Sequence, residues 1–302
     1  MTRIASADDA LEVAAKLAAE FDAEAAARDA DRRLPHDQVD TLKRSGLLAI
    51  TVPKRYGGIA ASATVLAEVI RLIAHADPSL AQIPHSHFVF LEALRLQGSE
   101  GQKSYFYDLV RSGSLFANAQ SERGPHTIDV DTTTLARQPG GGYVLSGRKF
   151  YSTGALFADW VLVRASLTNG SAPPTASTPK AIAFIARNTK GLEIIDDWEG
   201  MGQRTTASGT VTLDDVAVPV EHVVEFSPIF SRPSVYGARA QLLHSAIDVG
   251  IDNGRAGRRS ASDRTGKTAL RGWRFDRGRG SDPCQHCGRV DSRGPRCAGT
   301  TR

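Results

Sequence analysis

The first 251 residues of this 302-residue chain contain no cysteine, because all three cysteines lie beyond them, at Cys284, Cys287 and Cys297. A disulfide framework is therefore excluded for that part of the chain, and we expect a cytoplasmic location. The sequence also lacks any run of eighteen apolar residues, and its first thirty residues are rich in acidic residues and alanine. Neither a membrane span nor a secretion signal is expected.

Excess positive charge is missing from most of the chain as well. Residues 1–251 carry 24 Lys and Arg against 28 Asp and Glu, a net charge of −4, whereas residues 252–302 carry 13 against 5, a net charge of +8. The sequence pI near 9.0 therefore reflects the last segment alone. Basic charge confined to one segment does not indicate a nucleic-acid partner for the whole chain, and none is expected.

Apolar residues recur at helical spacing through the first part of the sequence. Helix boundaries follow from proline at a first turn and glycine at a stop. The predicted helices cover residues 8–32, the segment from Pro35 to Gly46, a stretch around 65–73, the segment from Pro78 to about Leu96, and a shorter stretch around 105–110. We therefore predict an N-terminal helical domain over residues 1–113.

The spacing changes after residue 113, where β-branched residues alternate with polar ones. Strands are predicted over residues 131–137, 143–150, 160–165, 181–186 and 209–218. Glycines at 140–142 and the pair Ser146-Gly147 are typical of hairpin turns. We therefore predict a middle antiparallel β domain over residues 114–228.

Helical spacing returns over residues 229–251. We interpret this segment as the first helix of a C-terminal helical bundle whose remaining helices are not encoded after residue 251. Residues 252–302 contain 12 Arg and 9 Gly but only two large aliphatic residues, Leu270 and Val290. Such a segment cannot bury enough apolar surface to offset its chain entropy, so we predict a disordered basic tail. Helices, then strands, then helices make the fold class α+β.

The tail allows two further interpretations. Cys284, Cys287 and Cys297 resemble zinc ligands, but a structural zinc site needs four ligands, and the fourth would be His286, which lies between two of them. No metal site is therefore predicted. Arg and Gly are also typical of RNA-binding segments. Because the composition changes within an apolar helical stripe, we favour a shift of reading frame, with a non-enzymatic truncated product as an alternative.

Several motifs resemble one known family. Residues 52–58 (Val-Pro-Lys-Arg-Tyr-Gly-Gly) resemble a loop near the start of acyl-CoA dehydrogenases, and residues 142–150 resemble their Gly-Tyr-x-Leu-x-Gly-x-Lys hairpin. Residues 116–123, 149–154 and 197–209 are similar to one branch of that superfamily, the sulfur-acquisition oxidoreductases related to dibenzothiophene monooxygenases. The resemblance covers residues 8–251.

This resemblance implies a flavin-dependent oxidoreductase. In that branch, reduced FMN delivered by a separate flavin reductase reacts with oxygen and attacks a small organosulfur substrate. The alternative is an FAD-dependent acyl-CoA dehydrogenase that oxidises a CH–CH bond. Residues 118–121 and 151–154 depart from the dehydrogenase pattern and favour the monooxygenase branch. Family members form homotetramers, and their C-terminal helical domain supplies one wall of the cavity, a catalytic residue and most tetramer contacts.

A flavin needs an apolar slot for its ring, polar partners for its pyrimidine edge and a cation for its phosphate. Without the family match, serines in strands are more often solvent-facing, and a tryptophan more often belongs to the core. The β domain offers Trp198 as a candidate for a ring face and Arg204 as a candidate for the phosphate. Its candidates for the pyrimidine edge are Asn118, Gln120, Ser121, Tyr151, Ser152 and Thr153. The family match strengthens Asn118, Ser152 and Trp198, because they fall together inside the motifs. Ser152 is also a predicted catalytic residue. We expect Asn118, Ser152 and Trp198 to lie together around one groove.

Two histidines lie in the fourth predicted helix. His85 and His87 are two residues apart and therefore point about 200° apart, so at most one of them lines the pocket. The family places a polar helix beside the substrate cavity. A neutral imidazole there could position a reacting group or transfer a proton to it near neutral pH. We favour His85 as the catalytic histidine, with a capped or surface histidine as the alternative.

Overall fold

The computed structural model describes residues 3–124, 130–169 and 172–265, with side chains described as far as residue 254. The chain divides into two units, residues 1–259 and 260–302. Of the second unit only residues 260–265 are described, at the end of a helix. The predicted zinc and RNA-binding interpretations concern residues that lie outside the described ones.

Residues 3–115 are fully described and helical, which confirms the predicted helical domain. The helices are α1 (Ala7–Asp22), α2 (Ala25–Ala30), α3 (His36–Arg44), α4 (Ala63–Ala76), α5 (Pro78–Gln82), α6 (His85–Gln97) and α7 (Glu100–Arg111). Local capping defines several ends. The Ser6 hydroxyl accepts from the amide of Asp9 at the start of α1, and Ser99 and Gln102 form a reciprocal capping box at the start of α7.

The helix predicted over residues 8–32 is wrong in one respect, because the structure breaks it into α1 and α2. Arg28 is buried, and its guanidinium donates to the carboxylate of Asp77 at 2.7 Å and to the carbonyl of Phe21 at 2.9 Å. In an unbroken helix that carbonyl would accept from the amide four residues later. The break leaves the carbonyl of Phe21 free to accept the hydrogen bond from the buried guanidinium of Arg28.

The helix predicted from Pro78 to Leu96 is also two helices, α5 and α6. Asp77 caps α5 by accepting from the amide of Ser79 at 2.9 Å. Pro84 separates the two helices, since it has no N–H to donate within a continuous helix. As a result, α6 begins at His85, and its axis need not continue the axis of α5.

Eight strands follow among the described residues: β1 (Phe116–Ala119), β2 (Thr134–Arg137), β3 (Tyr143–Lys149), β4 (Trp160–Thr168), β5 (Lys180–Ala186), β6 (Leu192–Ile195), β7 (Thr210–Val218) and β8 (Val223–Glu225). Their order in the sheet is β6-β7-β3-β2-β4-β5-β8, with β1 paired to β4. The five strands predicted from alternation are confirmed. The alternation pattern did not predict β1, β6 and β8, which are short.

The sheet is mixed where the sequence predicted antiparallel pairing throughout. β4 runs antiparallel to β5 but parallel to both β1 and β2, with Phe116 opposite Trp160 and Thr134 opposite Ser166. Beyond β1, Ser121 forms a bridge with Phe150, just beyond β3. The chain segments that follow β1 and β3 therefore lie side by side.

One face of the sheet packs on the helices, and the other face forms a second apolar core. Phe116, Leu162 and Phe184 belong to the core shared with the helical domain, whereas Val161 and Val163 belong to the second core. The alternation of side chains along each strand explains this division.

The last described helix, α8 (Tyr236–Thr265), returns to the helical domain. Leu243, Ala246 and Ile247 on its inner face are buried in the first core. The predicted domain boundary at residue 251 falls inside this helix. No helix among the described residues is long and apolar enough to cross a membrane.

Candidate active site

The segment from β1 brings Asn118 beneath the helical domain. Its amide nitrogen donates to the hydroxyl of Ser86 on α6 at 3.0 Å. Its amide oxygen is buried and has no hydrogen-bond partner. Buried polar atoms are nearly always paired, so an orphaned acceptor inside a predicted binding motif indicates a place for a ligand donor.

Ser152 shows the same feature on the neighbouring segment. It lies in the turn after β3, is fully buried, and its hydroxyl has no partner. Its backbone amide donates to the carbonyl of Gly209 at 3.0 Å, which ties the turn to the start of β7. Because Ser121 bridges Phe150, the orphaned atoms of Asn118 and Ser152 belong to adjacent segments.

The loop that precedes β7 carries Trp198 to the same region. Its indole N–H donates to the carbonyl of Gln203 at 3.1 Å, and its ring meets Tyr151 edge to face with 6.3 Å between centroids. Tyr151 is next to Ser152 in the chain, so Trp198 lies near the segment that carries Ser152. The grouping of all three residues Asn118, Ser152 and Trp198 around one groove stays a prediction. A cleft of about 500 Å³ borders Trp198 on the side of Arg32 and Arg204.

Three of the six described non-glycine residues with positive φ angles lie in the segment after β3 and the loop before β7. Tyr151, Gln203 and Ala207 have positive φ angles of 57°, 47° and 48° although none is glycine. Such conformations cost free energy and persist where surrounding contacts hold them, typically at functional sites.

A chain of hydroxyl groups connects the two strained segments. The Thr153 hydroxyl lies 2.8 Å from that of Ser208, which lies 2.8 Å from that of Thr206, and Thr206 donates to the Gln203 carbonyl. The side chain of Thr153 is therefore already engaged within the protein. Sequence reasoning missed Thr206 and Ser208, although both lie in the 197–209 motif.

Gln120 and Ser121 lie over a buried charge cluster. The ammonium of Lys149 is fully buried and donates to the carbonyl of Gln120 at 3.1 Å and to the carboxylates of Glu122 and Asp131 at 2.7 and 3.0 Å. Ser121 itself is exposed and contributes its backbone to the bridge with Phe150. These bonds hold the segment after β1 in place. In the sequence, the lysine of the hairpin motif at residues 142–150 was the feature that could have indicated this cluster.

The guanidinium of Arg204 is engaged by the helical domain. It donates to the carbonyls of Asp29 and Ala30 at 3.2 and 2.8 Å, and the Arg204 amide donates to the Asp29 carboxylate at 3.0 Å. From the other side, Arg32 pairs with Asp196. These contacts fix the 196–204 loop against α2. Phosphate binding by Arg204 stays a prediction, and a phosphate would have to share this guanidinium.

His87 is structural in this fold. Its Nδ1 accepts from the amide of Phe116 at 3.1 Å, and its Nε2 therefore carries the proton that it donates to the carbonyl of Leu48 at 2.9 Å. Complete burial lowers its pKa to about 4, so the ring is neutral at neutral pH. The two bonds lock α6 to β1.

His85 points the other way, toward α8. Its Nε2 donates to the carbonyl of Ala240 at 3.2 Å, and its ring lies on that of His244 with 3.9 Å between centroids. Burial, and then the nearby His244, lower the pKa of His85 to about 4. It is therefore neutral at neutral pH, with Nδ1 as the acceptor nitrogen. Its catalytic role stays a prediction.

Comparison with known proteins agrees with this geometry. The model of the acyl-CoA dehydrogenase N-terminal domain matches residues 8–114, and that of the acyl-CoA dehydrogenase middle domain matches residues 116–216. The chain belongs to the acyl-CoA dehydrogenase family. These matches cover the helical domain and most of the β domain, including every predicted site residue.

Individual relatives fall in the monooxygenase branch. The chain is 31% identical over 254 residues to a dibenzothiophene monooxygenase of Mycolicibacterium goodii, covering 82% of this chain and 60% of that protein. It is 30% identical over 248 residues to a probable FMNH2-dependent monooxygenase, SfnC, of Pseudomonas putida, covering 81% and 60%. The FMN-bound crystal structure of TdsC from Paenibacillus sp. A11-2 superposes with a TM-score of 0.77 at 29% identity, covering 85% of this chain and 65% of that one. This acyl-CoA dehydrogenase family member thus spans about 60% of the length of the curated relatives that it matches.

Proposed function

We propose that this chain is a reduced-FMN-dependent monooxygenase that acts on a small organosulfur compound. The observation that carries the proposal is the pair of orphaned buried atoms, the amide oxygen of Asn118 and the hydroxyl of Ser152. An acceptor and a hydroxyl on adjacent segments fit the alternating donors and acceptors of a flavin pyrimidine edge. The relatives named above support FMN and an organosulfur substrate.

The residues present fit this cofactor in three ways. The oxygen of Asn118 would accept a hydrogen bond from a ring N–H, and the hydroxyl of Ser152 could donate or accept one. The rings of Trp198 and Tyr151 offer aromatic surface and limit the access of water. Reduced flavin, when bound, supplies the electrons for the activation of oxygen.

His85 would act near the substrate as a neutral imidazole that positions a reacting group. Because its pKa lies near 4, the imidazole is uncharged at neutral pH and offers its Nδ1 as a hydrogen-bond acceptor. The proposal also includes a separate flavin reductase as the source of reduced FMN and a cytoplasmic location. Assembly as a homotetramer, as the family resemblance implies, is part of the same proposal.

The first experiment measures flavin binding by the purified full-length chain. Reduced FMN and FAD are titrated anaerobically, and any co-purified flavin is identified by absorbance and mass. We expect binding of reduced FMN, and about tenfold weaker binding in Asn118→Leu and in Ser152→Ala, a change of about 1.4 kcal/mol for each. Tighter binding of FAD together with its reduction by acyl-CoA would instead indicate a dehydrogenase.

Thr133→Val is the matched control. Thr133 is another fully buried residue of the β domain whose hydroxyl has no partner, but it lies outside the site. We expect flavin affinity in this variant to equal that of the wild type. A chain that binds neither flavin would overturn the proposed function and support a non-enzymatic product.

A further inference from the structure

Ser86 is not one of the predicted ligand-binding residues, yet its hydroxyl contacts Asn118, which is one. It is buried on α6 between the two histidines, and its hydroxyl accepts from the amide nitrogen of Asn118 at 3.0 Å. A carboxamide has one donor end and one acceptor end, so the end that bonds Ser86 leaves the other end to face elsewhere. Here the donor end faces the helix, and the acceptor end is left unpaired.

The register between α6 and β1 is fixed independently of this contact. His87, the next residue along the helix, accepts from the backbone amide of Phe116, which lies two residues before Asn118 on β1. A second bond from His87 to Leu48 anchors the ring from behind. The Ser86 hydroxyl is therefore held at hydrogen-bond distance from residue 118 by its neighbour's contacts.

The opposite orientation of the amide would leave the amide nitrogen without the partner that it has in the structure. The oxygen would then face Ser86, and both N–H groups of Asn118 would be directed away from it. Unpaired buried donors cost about 1–3 kcal/mol each. In the structure the amide nitrogen of Asn118 has a partner and the amide oxygen has none.

We propose that Ser86 is a positioning residue that keeps the amide oxygen of Asn118 directed at the flavin, so that the site receives an N–H donor of the isoalloxazine. This inference rests on the proposed function and goes beyond it, since it assigns the polarity of the site to a helix residue. Ser86 acts only through Asn118. Its effect on flavin binding must therefore vanish when Asn118 has no amide.

A double-mutant cycle tests this dependence in the full-length protein. The dissociation constant of reduced FMN is measured anaerobically for the wild type, Ser86→Ala, Asn118→Leu and the double variant. We expect Ser86→Ala to weaken binding about tenfold in the wild-type background and less than twofold in the Asn118→Leu background. Ser86→Thr, which keeps the hydroxyl, restores most of the affinity.

Folding is controlled by thermal unfolding of every variant and by two further substitutions. Ser79→Ala removes another buried hydroxyl of the helical domain and is expected to leave the affinity unchanged. Ser86→Cys keeps the side-chain size with a much weaker acceptor, and it replaces Ser86→Ala if that variant unfolds. Equal losses in both backgrounds, or no loss in the wild-type background, would overturn the inference. Absence of flavin binding by the wild type would overturn the proposed function itself, and is read from the first titration alone.

Discussion

The rings of His85 and His244 lie on each other with 3.9 Å between their centroids and join α6 to α8. Two further contacts support this junction. His85 donates to the carbonyl of Ala240, and Arg239 donates to the buried carboxylate of Glu92 at 2.7 Å. The side chain predicted to be catalytic is therefore also part of the contact that holds the last described helix.

This junction predicts a dependence of stability on pH. The pKa of His85 is lowered from 6.5 to about 4 in the folded state, chiefly by burial and then by His244. The unfolded chain therefore binds a proton first, so the stabilising contribution is complete above pH 6.5 and is lost as the pH falls from 6.5 to 4. Thermal midpoints over that range should fall less steeply for His85→Gln than for the wild type. The exposed His75→Gln should follow the wild type, and parallel curves for all three proteins would contradict the assignment.

His87 predicts a larger loss of stability at neutral pH. His87→Phe keeps a ring in the core but leaves the amide of Phe116 and the carbonyl of Leu48 without their partners. We expect the free energy of unfolding to fall by about 2–4 kcal/mol, because both groups stay buried and unpaired. Urea denaturation measures the change. His75→Phe, at an exposed position on α4, should change it by less than about 0.5 kcal/mol.

The hydroxyl of Ser152 should serve binding rather than stability. Since it is buried without a partner, Ser152→Ala should leave the free energy of unfolding of the ligand-free protein unchanged or raise it by up to about 1 kcal/mol. Ser166→Ala is the contrast, because that equally buried hydroxyl donates to the carbonyl of Asp131 at 2.8 Å. We expect it to lose about 1 kcal/mol. A clear destabilisation by Ser152→Ala would show that the hydroxyl has a partner within the protein.

The approach of α8 to α4 depends on a glycine. A Cβ on Gly250 would lie 2.6 Å from the Cβ of Ala74 and from the carbonyl oxygen of Arg71. Gly250→Ala should therefore separate the helices and lower the free energy of unfolding by about 1–3 kcal/mol. Gly237→Ala, near the start of the same helix, meets no atom within 4 Å and should not destabilise the protein. Urea denaturation measures the free energy of unfolding of both variants. Equal values for the two variants would contradict the close contact at Gly250.

The buried cluster around Lys149 predicts the behaviour in acid. Burial opposes ionisation of Glu122, but bonds from Lys149, Thr132 and Thr133 outweigh it and lower the pKa of Glu122 from 4.5 to about 2. The stabilisation is therefore complete above pH 4.5 and is lost as the pH falls toward 2. Glu122→Gln should flatten the fall of the thermal midpoint in this window, whereas the exposed Glu20→Gln should not. If the thermal midpoint falls equally steeply with pH in the wild type and both variants, the Lys149 cluster is not a cause of the acid sensitivity.

Much of the fold follows from periodicity along the chain. Spacing near 3.6 residues predicted the helical domain, alternation predicted five strands of the β domain, and a return to helical spacing predicted the start of α8. These patterns are local, because each records which side of one element is buried. The sequence pattern failed where a distant residue intervenes, as when the pairing of Arg28 with Asp77, 49 positions away, breaks the first helix.

The candidate site also has features that the sequence predicts and features that only the tertiary structure shows. The sequence by itself determined that Asn118, Ser152 and Trp198 belong to family motifs, and that His85 and His87 cannot share one pocket, since a helix places them on opposite sides. Only the tertiary structure decided which histidine faces β1, which atoms of Asn118 and Ser152 are left unpaired, and that Arg204 is engaged by α2. Those outcomes depend on which groups meet across the interface between helices and sheet, and hydrogen-bond partners far apart in the chain leave no periodic signal in it.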